Sequence, residues 1–151
     1  MGKIFYPDFR DFLQALISCK VKFLLVGGYA VVFHGYPRMT GDIDIWVERS
    51  EENYRALQEA FSKFRMPLFD MTPDNFLKNE KLDVFRFGRN PVAIDIMTKM
   101  ADFDFNELYN RRIEFIDDRI VVPVISLNDL ISAKKAADRF KDRDDIEKLL
   151  Q

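Results

Sequence analysis

The sequence predicts an α+β fold, in which helices flank one mixed β-sheet and a short helical segment forms the C-terminal end. The first observation is a helical period: Phe9, Phe12 and Leu16 recur every three or four residues, as on the buried face of a helix. The second is a series of short apolar or alternating segments bounded by turn residues, which is typical of strands. The third is that these signals interleave along the chain without a linker or a repeat, so we expect a single domain over residues 1–151.

The predicted helices are defined by apolar stripes and by start signals. Ser50 and Ser126 each precede an amphipathic segment, where a hydroxyl can accept a hydrogen bond from an unpaired amide of the first turn. Pro67 ends the first of these segments because proline cannot continue a helix. We expect helices that begin near Pro7 and Asp8, cover 29–33, run from Ser50 towards Pro67, cover 72–78, run from Ser126 to about Phe140, and begin at Asp142 as an N-cap.

The predicted strands comprise a buried segment that ends at Gly27 and Gly28, an alternating segment, and two hairpins. The first hairpin turns across residues 88–91 and the second across Asp117 and Asp118, and these are residue types that favour turns. We expect strands over 21–26, 42–47, 82–87, 92–97, 113–116 and 120–125.

Composition excludes several classes of protein. Hydrophobic residues make up 48% of the chain and charged residues 32%, which is globular rather than disordered composition. The net charge of −2 argues against tight, nonspecific binding of nucleic acid. Cys19 is the only cysteine, so no intramolecular disulfide can form. No apolar run approaches the ~18 residues of a membrane span and the N-terminus lacks a signal-peptide core, so we expect a cytoplasmic protein with no membrane partner.

Three aspartates are predicted to lie on one face of the sheet. Asp42 and Asp44 are two residues apart in a strand-like segment and therefore project to the same side, while the intervening isoleucines face the other. Asp95 lies in the second strand of the first hairpin, with Ile94 and Ile96 on the opposite side. If these two strands are neighbours, the three carboxylates converge.

Converging carboxylates next to a glycine pair predict a site for metal and phosphate. Carboxylate oxygens suit Mg²⁺ or Mn²⁺, which normally completes its coordination with water and substrate phosphates. Gly27 and Gly28 lie where a strand turns into a helix, and glycine lets a phosphate approach the backbone closely. A lone Asp-x-Asp pattern is common, and aspartates at strand ends also cap turns, so the combination carries more weight than either part alone.

The order of these motifs resembles the signature of the nucleotidyltransferase superfamily related to DNA polymerase β. Gly27-Gly28 is followed after thirteen residues by Asp42-Ile43-Asp44, and Asp95 matches the third carboxylate of that signature. Residues 38–45 are similar to the bacterial and archaeal branch that includes abortive-infection toxin nucleotidyltransferases. Residues 129–136 and 139–146 are similar to the final motif of the same branch.

The resemblance implies a metal-dependent transfer of a nucleoside monophosphate from an NTP to an acceptor, with release of pyrophosphate. Asp42 and Asp44 would bind Mg²⁺ or Mn²⁺, and Asp95 would complete the site and orient or deprotonate the acceptor. The NTP itself would be held by residues from three parts of the chain: Gly27 and Gly28 on the triphosphate, Lys134 on phosphate charge, and Arg38 and Thr40 from the loop before the aspartates.

The sequence leaves open the acceptor, the roles of several residues and the class of function. The acceptor could be RNA such as a tRNA end, a protein hydroxyl or a small molecule. Spacing alone favours a solvated position for Lys134, with Lys135 as a weaker rival for the phosphate role, and favours structural roles for His34 and Trp46. A different class of function is a nucleotide-binding or partner-binding module of a toxin–antitoxin-type pair, with a small partner protein and little catalysis of its own.

Overall fold

The computed structural model describes residues 5, 7–89 and 92–151, and these form one mixed sheet of six strands. The predicted α+β class is therefore confirmed. The order across the sheet is β3-β4-β2-β1-β6-β5, so β2 and β4, which carry Asp44 and Asp95, lie inside it. The strands are β1 (Phe23–Val26), β2 (Ile43–Val47), β3 (Val84–Arg89), β4 (Val92–Met97), β5 (Ile113–Asp117) and β6 (Ile120–Val124).

Helices cover both faces of this sheet. On one face, Phe61 of the third helix packs its ring 5.5 Å from Phe12 and 4.8 Å from Phe87, measured between centroids. On the other face, Trp46 packs against Phe105 with a centroid distance of 5.1 Å. The helices are α1 (Pro7–Ser18), α2 (Gly27–Phe33), α3 (Glu51–Phe64), α4 (Pro73–Leu77), α5 (Phe105–Asn110), α6 (Leu127–Ala137) and α7 (Phe140–Leu149).

The strand register determines which side of the sheet carries Asp44 and Asp95. β2 pairs in parallel with β4, and Asp44 lies directly beside Asp95. Their neighbours Ile43, Ile45 and Ile94 point to the opposite face, where they are buried in the main core. The condition for convergence of the carboxylates is therefore met. We call the sheet side that carries Asp44 and Asp95 the acid face.

Several elements differ from the sequence predictions at their ends. α6 stops at Ala137 rather than near Phe140, because Asp138 adopts a left-handed conformation with φ +51°. α7 then begins with Arg139 as its N-cap, so Asp142 lies in the first turn instead of at the cap. The helix α5 was not predicted, although Asp104 accepts a hydrogen bond from the Glu107 amide in the usual manner of an N-cap.

The two predicted hairpins are confirmed as antiparallel pairs, β3 with β4 and β5 with β6. Residues 90 and 91 of the first predicted turn lie outside the described residues. Within the described ranges, no helix is long and apolar enough to cross a membrane.

Candidate active site

Gly27 brings the backbone into direct contact with the carboxylate of Asp44. β1 passes into α2 without a loop, and Gly27 makes this junction with φ +69°. A Cβ atom added to Gly27 would collide with the carboxylate of Asp44, and one added to Gly28 would collide with the hydroxyl of Thr40. Only glycine allows this approach, because any other residue would push Asp44 or Thr40 away.

Alanine substitutions at two glycines distinguish the effect of the collision with Asp44 from the effect of backbone strain. Gly27→Ala is expected to displace Asp44 and to weaken NTP binding at least tenfold, as measured by calorimetry. Gly35→Ala is the matched control, because Gly35 also has a positive φ of +104° but a Cβ there would meet nothing within 4 Å. Equal losses of affinity in both variants would contradict a specific role of the contact between Gly27 and Asp44.

A guanidinium group bridges the aspartates. Arg86 lies on β3 directly opposite Asp95 in the antiparallel register. Its Nη1 atom is 3.2 Å from Oδ2 of Asp42 and 3.4 and 3.3 Å from the two carboxylate oxygens of Asp95. Sequence reasoning did not identify Arg86. In this structure it supplies the positive charge that clustered carboxylates require.

The chemistry of the acid face fits a divalent cation, although the side chains do not form a complete ligand set. Across the part of the chain that the structure describes, no three Asp, Glu, His or Cys side chains are grouped so that they could hold a metal ion as they stand. The donor type is nevertheless the hard carboxylate oxygen that Mg²⁺ and Mn²⁺ prefer. The Arg86 Nη1 atom demonstrates that a positive group can be held between Asp42 and Asp95.

Crowding of the carboxylates changes their protonation. Burial, together with the negative charges of Asp95 and Asp42, raises the pKa of Asp44 to about 7. Burial also raises the pKa of Asp95, although the nearby Arg86 opposes this shift. The acid face is therefore short of positive charge, and a bound cation would favour the ionised form of Asp44.

The raised pKa of Asp44 predicts a pH dependence of stability. Between pH ~4 and pH ~7 the carboxyl is protonated in the folded protein and ionised in the unfolded chain, whose pKa is about 3.9. The folded state then binds more protons, so the free energy of unfolding falls as pH rises through this window, by up to about 1.4 kcal/mol per pH unit. Urea unfolding at pH 5 and pH 7, without metal, measures the slope. Asp44→Asn should flatten it, and an identical slope in that variant would contradict this origin.

A second cluster of charges is buried between α6 and α7. The side chain of Lys134 is only 6% exposed, and its Nζ atom lies 3.1 Å from Asp142 and 3.0 Å from Asp145. Arg139 binds Asp142 through Nε at 2.7 Å, and Arg38 reaches Asp145 through Nη2 at 3.1 Å. We call these five residues the charge cluster. These five residues carry three positive and two negative charges, and the negative charge of Asp44 also acts on Arg139.

The cations of the charge cluster keep Asp142 ionised. Burial alone would raise the pKa of Asp142, but hydrogen bonds from Arg139 and Lys134 outweigh it and lower the pKa to about 2. Asp142 therefore stays ionised, and Lys134 is committed to it and to Asp145. Neither carboxylate was identified as a site residue from the sequence.

A cleft connects the acid face to the charge cluster. Its volume is about 230 Å³, and it lies between the sheet and α6. Gly27, Asp44 and Lys134 line it, together with Arg139 and Asp142. Its remaining walls are apolar side chains from the ends of β1 and β4, from the segments that follow β4 and β6, and from α6: Val26, Met97, Met100, Ile125, Leu130, Ala133 and Ala137. Two of the predicted nucleotide-binding residues and one predicted metal ligand thus share a single cavity.

The other predicted residues take the following positions. Arg38 and Thr40 pack over Gly28, so the predicted loop does lie against the glycine pair. Lys135 is exposed, unlike its neighbour Lys134. The ring of His34 lies with Nε2 at 2.7 Å from the Ile125 carbonyl oxygen, and Trp46 is buried against Phe105. Both contacts support structural roles for His34 and Trp46.

Comparison with known proteins identifies the family. Residues 11–150 match the family described as nucleotidyltransferase of unknown function (DUF6036), so this chain belongs to that family. The resemblance to nucleotidyltransferases is thereby confirmed, whereas the abortive-infection branch stays a prediction. A comparison with curated proteins gives no match.

Two solved structures share the fold. One is the lincosamide antibiotic adenylyltransferase LnuA bound to lincomycin, with 17% identity, a TM-score of 0.59 and coverage of 99% of each chain. The other is a Thermotoga maritima protein described as a nucleotidyltransferase (TM1012), with 17% identity, a TM-score of 0.56 and coverage of 94% of this chain and 89% of that one. At this identity the likeness concerns the fold.

Proposed function

We propose that the protein is a Mg²⁺-dependent nucleotidyltransferase that moves a nucleoside monophosphate from an NTP to an acceptor. The observation that carries this proposal is the contact of the Gly27 backbone with Asp44, whose neighbour across the strands is Asp95. A bare backbone beside clustered carboxylates suits a triphosphate that shares a cation with them. Membership of the nucleotidyltransferase family supports the same class of reaction.

The triphosphate would lie between the glycine pair and the charge cluster. Gly27 lines the cleft beside Asp44, and the positive charges of Lys134 and Arg139, which line the same cleft, would attract the phosphate oxygens. Lys134 acts within this network as a fixed charge, because two buried carboxylates hold its ammonium group. Two other cations are better placed to contact phosphate groups directly. Arg139 is more exposed than Lys134, and the charge of Lys141 acts on Asp44.

The reaction needs one new bond and one broken bond. The acceptor oxygen attacks the α-phosphorus, the bond from that phosphorus to the bridging oxygen breaks, and pyrophosphate leaves. The acceptor proton passes to Asp95, the carboxylate that lies directly beside Asp44 in the strand register. Asp42 and Asp44, with Asp95, would hold Mg²⁺, which when bound supplies positive charge to the triphosphate and to the leaving group.

A small-molecule acceptor suits the surface better than nucleic acid does. The net charge of −2 offers little general attraction for a polyanion. The fold neighbour LnuA was solved with lincomycin, a small molecule. The cleft, at about 230 Å³, is below the ~300–1,000 Å³ typical of a drug-sized ligand, so it would take one part of the substrates rather than a whole acceptor.

A nucleotide-binding or partner-binding module without catalysis is the second candidate. The observation that favours it is the internal pairing of Arg86 and Lys134, since both cations are already engaged by carboxylates. Such a module would bind NTP, or a small partner protein as in a toxin–antitoxin pair, without releasing pyrophosphate.

The deciding experiment is calorimetric titration with ATP, GTP, CTP and UTP, with Mg²⁺ and with EDTA, on the wild type and on Asp42→Asn. We expect Mg²⁺-dependent binding of at least one NTP, which the variant loses. The NTP that binds is then incubated with pools of small molecules, RNA and proteins while pyrophosphate is measured. Binding without pyrophosphate release from any pool favours the second candidate, and no binding overturns the proposed function.

A further inference from the structure

The carboxylate of Asp145 joins two cations that come from distant parts of the chain. Asp145 lies on α7, and its side chain is only 2% exposed. Its Oδ2 atom lies 3.1 Å from Nη2 of Arg38 and 3.0 Å from Nζ of Lys134. Its Oδ1 atom lies 3.0 Å from Nε of Arg38. Both oxygens of this buried carboxylate are therefore engaged by cations.

The two cations reach two neighbouring parts of the candidate site. Nη2 of Arg38 lies 3.3 Å from the position that a Cβ atom would take on Gly28. Lys134 lines the cleft, as does Gly27. Because Nη2 and Nζ lie 3.1 and 3.0 Å from the same oxygen, these nitrogens cannot be more than about 6 Å apart. Two positive charges at this separation repel each other unless a negative charge lies between them.

We propose that Asp145 is a positioning residue for the triphosphate, which holds Arg38 over Gly28 and Lys134 beside the cleft so that both cations act on the same ligand. This inference rests on the proposed function and deepens it, because it names the group that sets the positions of two phosphate-binding cations. Asp145 acts through these cations and does not itself contact the NTP. Arg38 depends on Asp145 more than Lys134 does, because Lys134 is also held by Asp142 at 3.1 Å.

A second contact between the same segment and α7 offers a control. The hydroxyl of Tyr36 donates a hydrogen bond to the carboxylate of Asp144 at 3.0 Å. Asp144 is the residue before Asp145, but it is exposed and its partner in this bond is a neutral hydroxyl. If α7 only anchored the segment around Arg38, loss of either contact would have the same effect. If Asp145 acts on the two charges, only the loss of its own charge matters.

The test measures the affinity for a non-hydrolysable analogue of the NTP that binds best, by calorimetry with Mg²⁺. Asp145→Asn keeps the size of the side chain and removes the charge that holds Arg38, so we expect binding about tenfold weaker, a coupling of ordinary size between neighbouring groups. Asp144→Asn is the matched control, and its affinity should stay within about twofold of the wild type. Urea unfolding verifies that each variant is folded.

A double-mutant cycle determines whether Asp145 acts through Arg38. Arg38→Gln should also weaken binding about tenfold. The double variant Arg38→Gln/Asp145→Asn should bind less than about threefold more weakly than Arg38→Gln, because Asp145 then has only Lys134 left to position. A purely structural role of Asp145 would make the two losses multiply to about a hundredfold, and this result would overturn the proposal.

The outcomes distinguish this inference from the proposed function. Wild-type affinity in a folded Asp145→Asn protein, or an equal loss in Asp144→Asn, would overturn the role of Asp145 and leave the proposed function standing. If the wild type does not bind the analogue, the proposed function fails and the inference fails with it.

Arg38→Lys tests the same role if Asp145→Asn does not fold. One ammonium group cannot keep both contacts that the guanidinium makes with the two oxygens of Asp145. We therefore expect a several-fold loss of affinity although the positive charge is kept. Wild-type affinity in Arg38→Lys would show that the position of the charge does not matter and would overturn the proposal.

Discussion

Asp44→Asn is expected to abolish Mg²⁺-dependent NTP binding and nucleotidyl transfer while leaving the protein folded and more stable. The amide has the size of the carboxylate but cannot serve as an anionic ligand. Even residues that only orient metal ligands cost 10–100-fold when removed, so the loss here should be at least ~100-fold. At pH 8 the free energy of unfolding should rise by roughly 1 kcal/mol or more, because an ionised, crowded carboxylate is removed.

A loss of NTP binding together with a gain in stability is the result expected of a functional residue. Asp102→Asn is a suitable control, because Asp102 is exposed and lies outside the cleft, and it should change neither binding nor stability. Calorimetry, pyrophosphate release and urea unfolding give the three measurements. An Asp44→Asn protein that transfers at the wild-type rate, or that loses stability, would contradict the assignment of Asp44 to the site.

Lys134→Met is expected to cost the most stability of any single substitution in the charge cluster. The substitution leaves Asp142 and Asp145, which are both almost completely buried, without the cation that joins them. Removal of one partner from a buried ion pair typically costs 3–5 kcal/mol, and we expect a loss of about that size in urea unfolding. NTP binding should weaken as well, because the cluster loses one of its three positive charges.

Lys135→Met supplies a matched control at the next position. Lys135 is exposed, and its replacement should change the free energy of unfolding by no more than about 0.5 kcal/mol. The double variant Lys134→Met/Asp142→Asn should recover part of the lost stability, since one of the two carboxylates that lost the ammonium group is then neutral. A mobile phosphate ligand would behave differently: Lys134→Met would keep the wild-type stability and lose only NTP affinity.

The sequence allowed the acid face to be predicted because strand geometry is local. Alternate residues of a strand share a side, which predicted Asp42 beside Asp44 even though β2 begins at Ile43 and Asp42 lies just before it. The apolar residues around Asp95 leave it only one side to occupy. From the sequence, the glycine pair was predicted only to receive a phosphate. The contact between Gly27 and Asp44 was not predicted, because it depends on β1 and β2 being antiparallel neighbours.

Arg86 could have been found by counting. In an antiparallel hairpin, the numbers of two paired residues have a constant sum. Because Arg89 pairs with Val92, Arg86 lies opposite Asp95. The burial of Lys134 had no comparable local signal. Its partners Asp142 and Asp145 lie on another helix, and nothing in the spacing of a basic segment indicates how α7 folds back onto α6.

The charge cluster can form only late in synthesis, because it joins early residues to the last helix. Arg38 contacts Asp145 across 107 positions of the chain. A ribosome that has already made the glycine pair and all three aspartates has therefore not yet supplied the partners of Lys134 or of Arg38. Because chains grow at about 5–20 residues per second, this interval lasts several seconds. Until α7 has emerged, a nascent chain holds the acid face, but Lys134 and Arg38 lack the two buried carboxylates that fix their positions.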